Sequence, residues 1–112
     1  ADFILIPTKT AVFDTMSMTH TLDIVRQLDR AFAVVLTFVP PQGQETADAI
    51  KAVAELGATV CPVTIGSRKA FFRAQAAGQA VQEFEPQGPA ADEIRRLYEY
   101  TTIRIYNEAE AA

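Results

Sequence analysis

The sequence predicts an α/β fold, a parallel β-sheet whose strands are joined by crossover helices. Two observations carry the prediction. Three apolar runs, "FILIP" at 3–7, "AVVLTFV" at 33–39 and "ATVCPVTI" at 58–65, show no alternation with polar residues, as suits strands buried on both faces. The stretches between them carry apolar residues at helical spacing, the βαβ arrangement in which a helix returns the chain so that the next strand runs parallel.

The first strand is followed by Asp14 and Thr15, either of which can cap a helix with Met18, Leu22, Val25 and Leu28 or Asp29 on one stripe. After the second strand, Ala47, Ile50, Val53 and Ala54 form the next stripe, and Gly57 stands where a helix ends on glycine. The third strand is the weakest, because Pro62 interrupts it. Ser67 is the expected cap of a third helix that runs to Ala77 and closes at Gly78. Residues 79–88 read as an extended loop. Pro89 suits the first turn of a fourth helix with Ile94, Leu97, Tyr98, Thr101 and Ile105 on its stripe. The closing "NEAEAA", 107–112, reads as a disordered, frayed tail. If the strands lie in chain order, right-handed crossovers place the first two helices on one face of the sheet.

The 112 residues suffice for one small domain, and no linker or repeat divides them. With 49% hydrophobic and 21% charged residues the chain reads as globular and soluble, not disordered. No apolar run approaches the ~18 residues of a membrane span, no signal-peptide pattern is present, and no membrane partner is expected. The single cysteine, Cys61, forms no internal disulfide, which favours a cytoplasmic location. The net charge of −4 argues against wholesale nucleic-acid binding while leaving room for a local basic patch. The apolar run 3–7 carries no charge until Lys9. Such an edge invites strand pairing, so the expectation is a neighbour for it, either a further segment of the same protein or a second copy, with self-association of residues 1–112 through this strand.

"ADFILIPTKTAVFD" resembles the C-terminal half of the ParA/MinD-type deviant P-loop ATPases, where the segment has the form ADxVLIPxxPSPxD; Ala1, Asp2, Leu5, Ile6, Pro7 and Asp14 match, and the stretch 9–12 departs. "VVLTFVPP" resembles the family's VLNRVPP, and Ile65, Arg68, Phe71, Gly78, Phe84 and Gly88 follow its closing pattern. The ordered set fits partition ParA proteins better than MinD. The resemblance implies a three-stranded portion of a doubly wound P-loop NTPase fold. It also implies a parent protein that binds ATP and Mg²⁺, dimerises around the nucleotide, binds DNA nonspecifically and is stimulated by a cargo-bound protein during plasmid or chromosome segregation. No Gly-Lys-[Ser/Thr] occurs in the chain. Phosphoryl transfer needs those amides, that lysine and the metal, so residues 1–112 alone are expected neither to hold Mg²⁺ nor to hydrolyse ATP, and no residue is assigned a catalytic role.

By the same resemblance, Thr37, Phe38, Val39 and Pro40 border the adenine, with Thr37 where the family carries Asn. A hydroxyl there lacks the amide's paired donor and acceptor. The carboxyl ends of parallel strands are also where a ligand crevice forms on general grounds. Arg68 belongs to the nucleotide side, and a cation in the first turn of a helix opposes the dipole, so an anion is expected beside it: a carboxylate, a nucleotide or a DNA phosphate. Lys69 and Arg73, one helical turn apart, with Arg95 and Arg96 on the last helix, are the candidate DNA contacts. Asp14 reads as a cap, His20 as an ordinary surface or packing residue, Cys61 as a buried small hydrophobe, and Phe71 and Phe72 as core, one of them with a partner-facing option. No metal-ligand spacing occurs. Two other functions stay open: a non-catalytic ParA-derived binding or self-association module, and an unrelated flavodoxin-like binding domain.

Overall fold

The computed structural model describes residues 2–11 and 13–111, with the backbone alone at 110 and 111. Ala1 and Val12 of the opening motif, and Ala112 of the tail, lie outside the described residues. The elements are β1 (Ile4–Lys9), α1 (Thr15–Gln27), β2 (Phe32–Thr37), α2 (Glu45–Glu55), α3 (Lys69–Ala76), α4 (Val81–Phe84) and α5 (Pro89–Ala111). β1 and β2 pair in parallel, in register from Ile4 opposite Phe32 to Lys9 opposite Thr37.

The expected third strand is present only in part. Its run lies beside β2 and makes two isolated parallel bridges, Val34 with Val60 and Val39 with Gly66. The ladder starts normally: Val34 N–H donates to the Thr59 carbonyl at 2.9 Å, and Cys61 N–H to the Val34 carbonyl at 2.7 Å. A continuous parallel ladder would next join Val63 N–H to the Leu36 carbonyl. That carbonyl instead receives Ile65 N–H at 2.9 Å. The intervening loop-out contains Pro62, which has no N–H to give. The defined sheet therefore has two strands.

The period-two alternation of the central strand sorts the core onto two faces. Val34 and Leu36 pack with Ile6 against Met18, Leu22 and Val25 of α1 and Ala49 and Val53 of α2. Ala33 and Val35 point the other way, with Cys61, Val63 and Leu5, and meet Leu97 and Tyr100 of α5. Continuous apolarity at 33–36 thus reflects burial on both sides; those four residues are at most 3% exposed. A third cluster, Ala74, Val81, Ala90 and Ala91, ties α3, α4 and the start of α5 together. Helices α1 and α2 share one face, as right-handed crossovers require.

Caps follow the sequence in some places and not in others. The Asp14 carboxylate accepts from Met16 N–H at 2.9 Å and Ser17 N–H at 3.4 Å, capping α1 as predicted. Gly57 and Gly78, at φ +79° and +69°, end α2 and α3. Leu28 does not extend the α1 stripe: it caps the helix, exposed, and Asp29 turns the chain at φ +52°. The buried side of α2 is Ala49 and Val53, so Ala47, Ile50 and Ala54 face outward. Tyr98 and Ile105 of α5 are exposed too, while Leu97, Tyr100 and Arg104 turn inward. The N-cap of α3 is Arg68, because Ser67 is still held to the strand run by its N–H to the Val39 carbonyl at 3.0 Å. The expected loop 79–88 contains α4, one turn whose Ala80 N–H donates to Glu83 Oε1 at 2.9 Å. Helix α5 continues through 107–111, the segment expected to fray. Among the described residues no helix is long and apolar enough to cross a membrane.

Candidate functional site

The strands all run one way, so their carboxyl ends gather at one edge of the sheet. At that edge β2 departs from regular pairing. The Leu36 carbonyl receives Ile65 N–H, yet the return bond to the Ile65 carbonyl comes from Val39 N–H at 3.0 Å, one residue later than regular pairing expects. Phe38 is the extra residue. It sits at φ +52°, a conformation rare for a bulky side chain and found where surrounding structure enforces it. The bulge aims Phe38 out of the sheet, 42% exposed, while Val39 joins the core on the α1/α2 side.

Beside Phe38 lies a cavity of about 480 Å³. Pro7, Ile65 and Phe71 supply apolar wall, Phe38 and Phe72 stand at it with ring centroids 6.1 Å apart, and Lys9, Thr37, Arg68 and Gln75 are its polar side chains. The Lys9 ammonium rests 4.8 Å from the centroid of the Phe38 ring, a cation–π contact.

Arg68 is held rather than free. Its Nε donates to Glu93 Oε1 at 2.9 Å and its Nη2 to Glu93 Oε2 at 3.3 Å, a two-pronged ion pair between the start of α3 and the first turns of α5. Glu93 Oε1 also accepts the Gly66 N–H at 3.3 Å. The carboxylate is thus the anion that a cation at a helix start calls for. These hydrogen bonds push the Arg68 guanidinium further above its already high range.

Of the residues assigned to the nucleotide side, Thr37, Phe38 and Arg68 line the cavity. Val39 and Pro40 do not; the bulge at Phe38 turns the chain away beyond it. Sequence reasoning gave no site role to Lys9, Gln75 and Glu93. Phe71 and Phe72 read as core with an option for one of them to face outward; Phe72 is the outward one, 58% exposed at the cavity, and the Phe71 beside it supplies the wall. The adjacent pair was the available signal, since neighbours in a helix cannot both face one core. Glu93 had none, being 25 residues from Arg68.

The DNA candidates lie on α3 and α5. Lys69, Arg73 and Arg96 are exposed and make no ion pair among the described residues. Arg95 donates to the Pro86 carbonyl at 3.1 Å and lies 3.9 Å from Asp92. His20 is exposed. Cys61 is buried, and burial pushes its thiol above the ordinary range. No Asp or Glu lines the cavity, and no cluster of three metal-ligating side chains occurs among the described residues. The side-chain donors at the cavity are one ammonium, one guanidinium, one hydroxyl and one carboxamide. No protein-family model matches the chain, and no curated protein matches it.

Proposed function

We propose that the chain forms the base-side wall of the nucleotide site, and part of the outer surface, of a ParA-like partition ATPase. One observation carries this reading. Pro7, Thr37, Phe38 and Arg68, drawn from three separate stretches that resemble the family, meet around a single cavity at the carboxyl ends of parallel strands. Aromatic and aliphatic walls with a few polar groups suit a nucleobase. The broken third strand run belongs to the same proposal, as the remainder of a three-stranded portion of a doubly wound P-loop sheet.

The groups that grip phosphate and metal in that family have no counterpart in these 112 residues, so turnover requires residues supplied from elsewhere. Dimerisation around ATP, a stimulating cargo-bound protein, a cytoplasmic location and a role in DNA segregation rest on the resemblance. Nonspecific DNA contact through Lys69, Arg73, Arg95 and Arg96 gains support from the exposure of Lys69, Arg73 and Arg96. Photolabelling with 8-azido-ATP tests the base-side reading. Label is expected in the tryptic peptides 31–51, carrying Thr37 and Phe38, and 70–73, carrying Phe71 and Phe72, and excess ATP is expected to suppress it. Label elsewhere, or label that ATP does not compete away, would overturn the reading.

A further inference from the structure

Resting on that reading, we propose that Lys9 is the residue by which the cavity selects a base carrying a phosphate over one carrying none. The ammonium lies 4.8 Å from the centroid of the Phe38 ring and covers part of the face on which a base would stack. An anion on the ligand draws it off and uncovers that face.

The strands set this placement. Lys9 closes β1 directly opposite Thr37, the last residue of β2, and Phe38 follows Thr37. A base stacked on Phe38 therefore has the Lys9 side chain at its rim, one strand spacing (about 5 Å) away. The long flexible stem of a lysine lets its charge follow a partner. There is room for one: Pro7 and Lys9 also border a second cavity, of about 250 Å³, between the end of β1 and α1.

Charge decides what Lys9 does there. The other cation of the site, Arg68, is matched by Glu93 through two hydrogen bonds. Lys9 has no carboxylate partner among the described residues, and Phe38 is the group that holds it. Both residues are exposed. A cation–π contact at an exposed site is worth about two- to five-fold in an equilibrium. A charge-assisted hydrogen bond to phosphate is worth about ten-fold or more. A nucleotide thus outcompetes the ring for the ammonium, whereas a neutral nucleoside must displace it and offers no charge in return.

Titrating the isotope-labelled chain with AMP and with adenosine, while following the Phe38 and Phe72 ring resonances, tests this. AMP is expected to bind about ten-fold tighter than adenosine at low salt, the preference shrinking at high salt. AMP, and not adenosine, is expected to release the Lys9 ε-methylene protons from the ring-current shift of Phe38. Lys9→Met, which keeps the apolar stem and removes the charge, is expected to bring AMP down to the level of adenosine, and Lys9→Arg to restore the preference. A Lys9→Met chain that keeps the parent's preference would overturn the role of Lys9 and leave the base-side reading standing. Equal binding of AMP and adenosine by the parent chain would do the same. If neither ligand moves the two ring resonances, both fall.

Discussion

Glu93 joins three parts of the candidate site, and its replacement by Gln has a calculable consequence. The carboxylate takes three hydrogen bonds, from Arg68 Nε at 2.9 Å, Arg68 Nη2 at 3.3 Å and Gly66 N–H at 3.3 Å. The amide keeps one oxygen, which serves Nε and Gly66 as a neutral acceptor, and turns an NH₂ toward Nη2, donor against donor. Hydrogen bonds to a charged group are worth about 1.5–3 kcal/mol against about 1 kcal/mol for neutral ones. The Arg68 side chain is 38% exposed, so water recovers part of that difference, whereas Glu93 at 12% is poorly reached. The net loss is about 1–2 kcal/mol, equivalent to a fall in Tm of about 3–8 °C for a domain of this size. The assay is a double-mutant cycle of Glu93→Gln and Arg68→Met by urea denaturation. A coupling energy of about 1 kcal/mol is expected, reduced but not abolished in high salt. Coupling below about 0.3 kcal/mol would refute the argument, since it would leave the pair no more than an exposed ion pair.

Two further outcomes are expected. Burial raises the Cys61 thiol, so the folded chain retains a proton that the unfolded chain releases above pH of about 8.5. Stability should fall as pH rises from there toward the folded value. Urea midpoints for Cys61→Ala should fall less steeply over that window, and an identical pH slope would show that the thiol contributes nothing. Pro7→Ala adds an N–H to the outer edge of β1, and self-association should rise above that of the parent chain in light scattering across concentrations. An unchanged response would show that the proline does not guard that edge.

The strongest signal in the sequence was the unbroken apolarity of 33–36, and the fold confirms it, because a strand between two helical layers has no solvent face. Stripes on helices were less legible. On α2 the small size of Ala49 suits it to the tight approach against the sheet, while Ile50, the larger hydrophobe, lies outside. Hydrophobicity and spacing alone do not show which side of a short alanine-rich helix fits. The third strand run was legible to the extent that Pro62 was: its weakness appears as a ladder that skips two residues. The bulge at Phe38 was not legible, since nothing local distinguishes a phenylalanine forced to positive φ from one inside a strand. Phe38 lines the cavity, and Val39 and Pro40, beyond the bulge, do not.

The edge of β1 shows most directly what register adds to composition. Read as a string, 3–7 is an apolar run with no guard before Pro7. In a parallel pair a residue directs both its N–H and its C=O to the same side. Ile4 N–H reaches the Ala31 carbonyl at 2.9 Å and Thr10 N–H the Thr37 carbonyl at 3.4 Å. The even-numbered residues therefore serve β2, and the odd-numbered ones face the open edge. Those are Leu5, Pro7 and Lys9. Pro7 has no hydrogen to offer and Lys9 brings charge, two of the devices by which sheet edges resist addition of a foreign strand. Only Leu5 within β1 presents an outward donor without such protection. A second copy added at this edge is therefore expected to pair only with the first residues of the strand, where Phe3 lies against Tyr100 with ring centroids 6.3 Å apart and Arg104 sits 4.7 Å from the Phe3 ring. The apolarity of the run reflects the two helical layers that cover its faces.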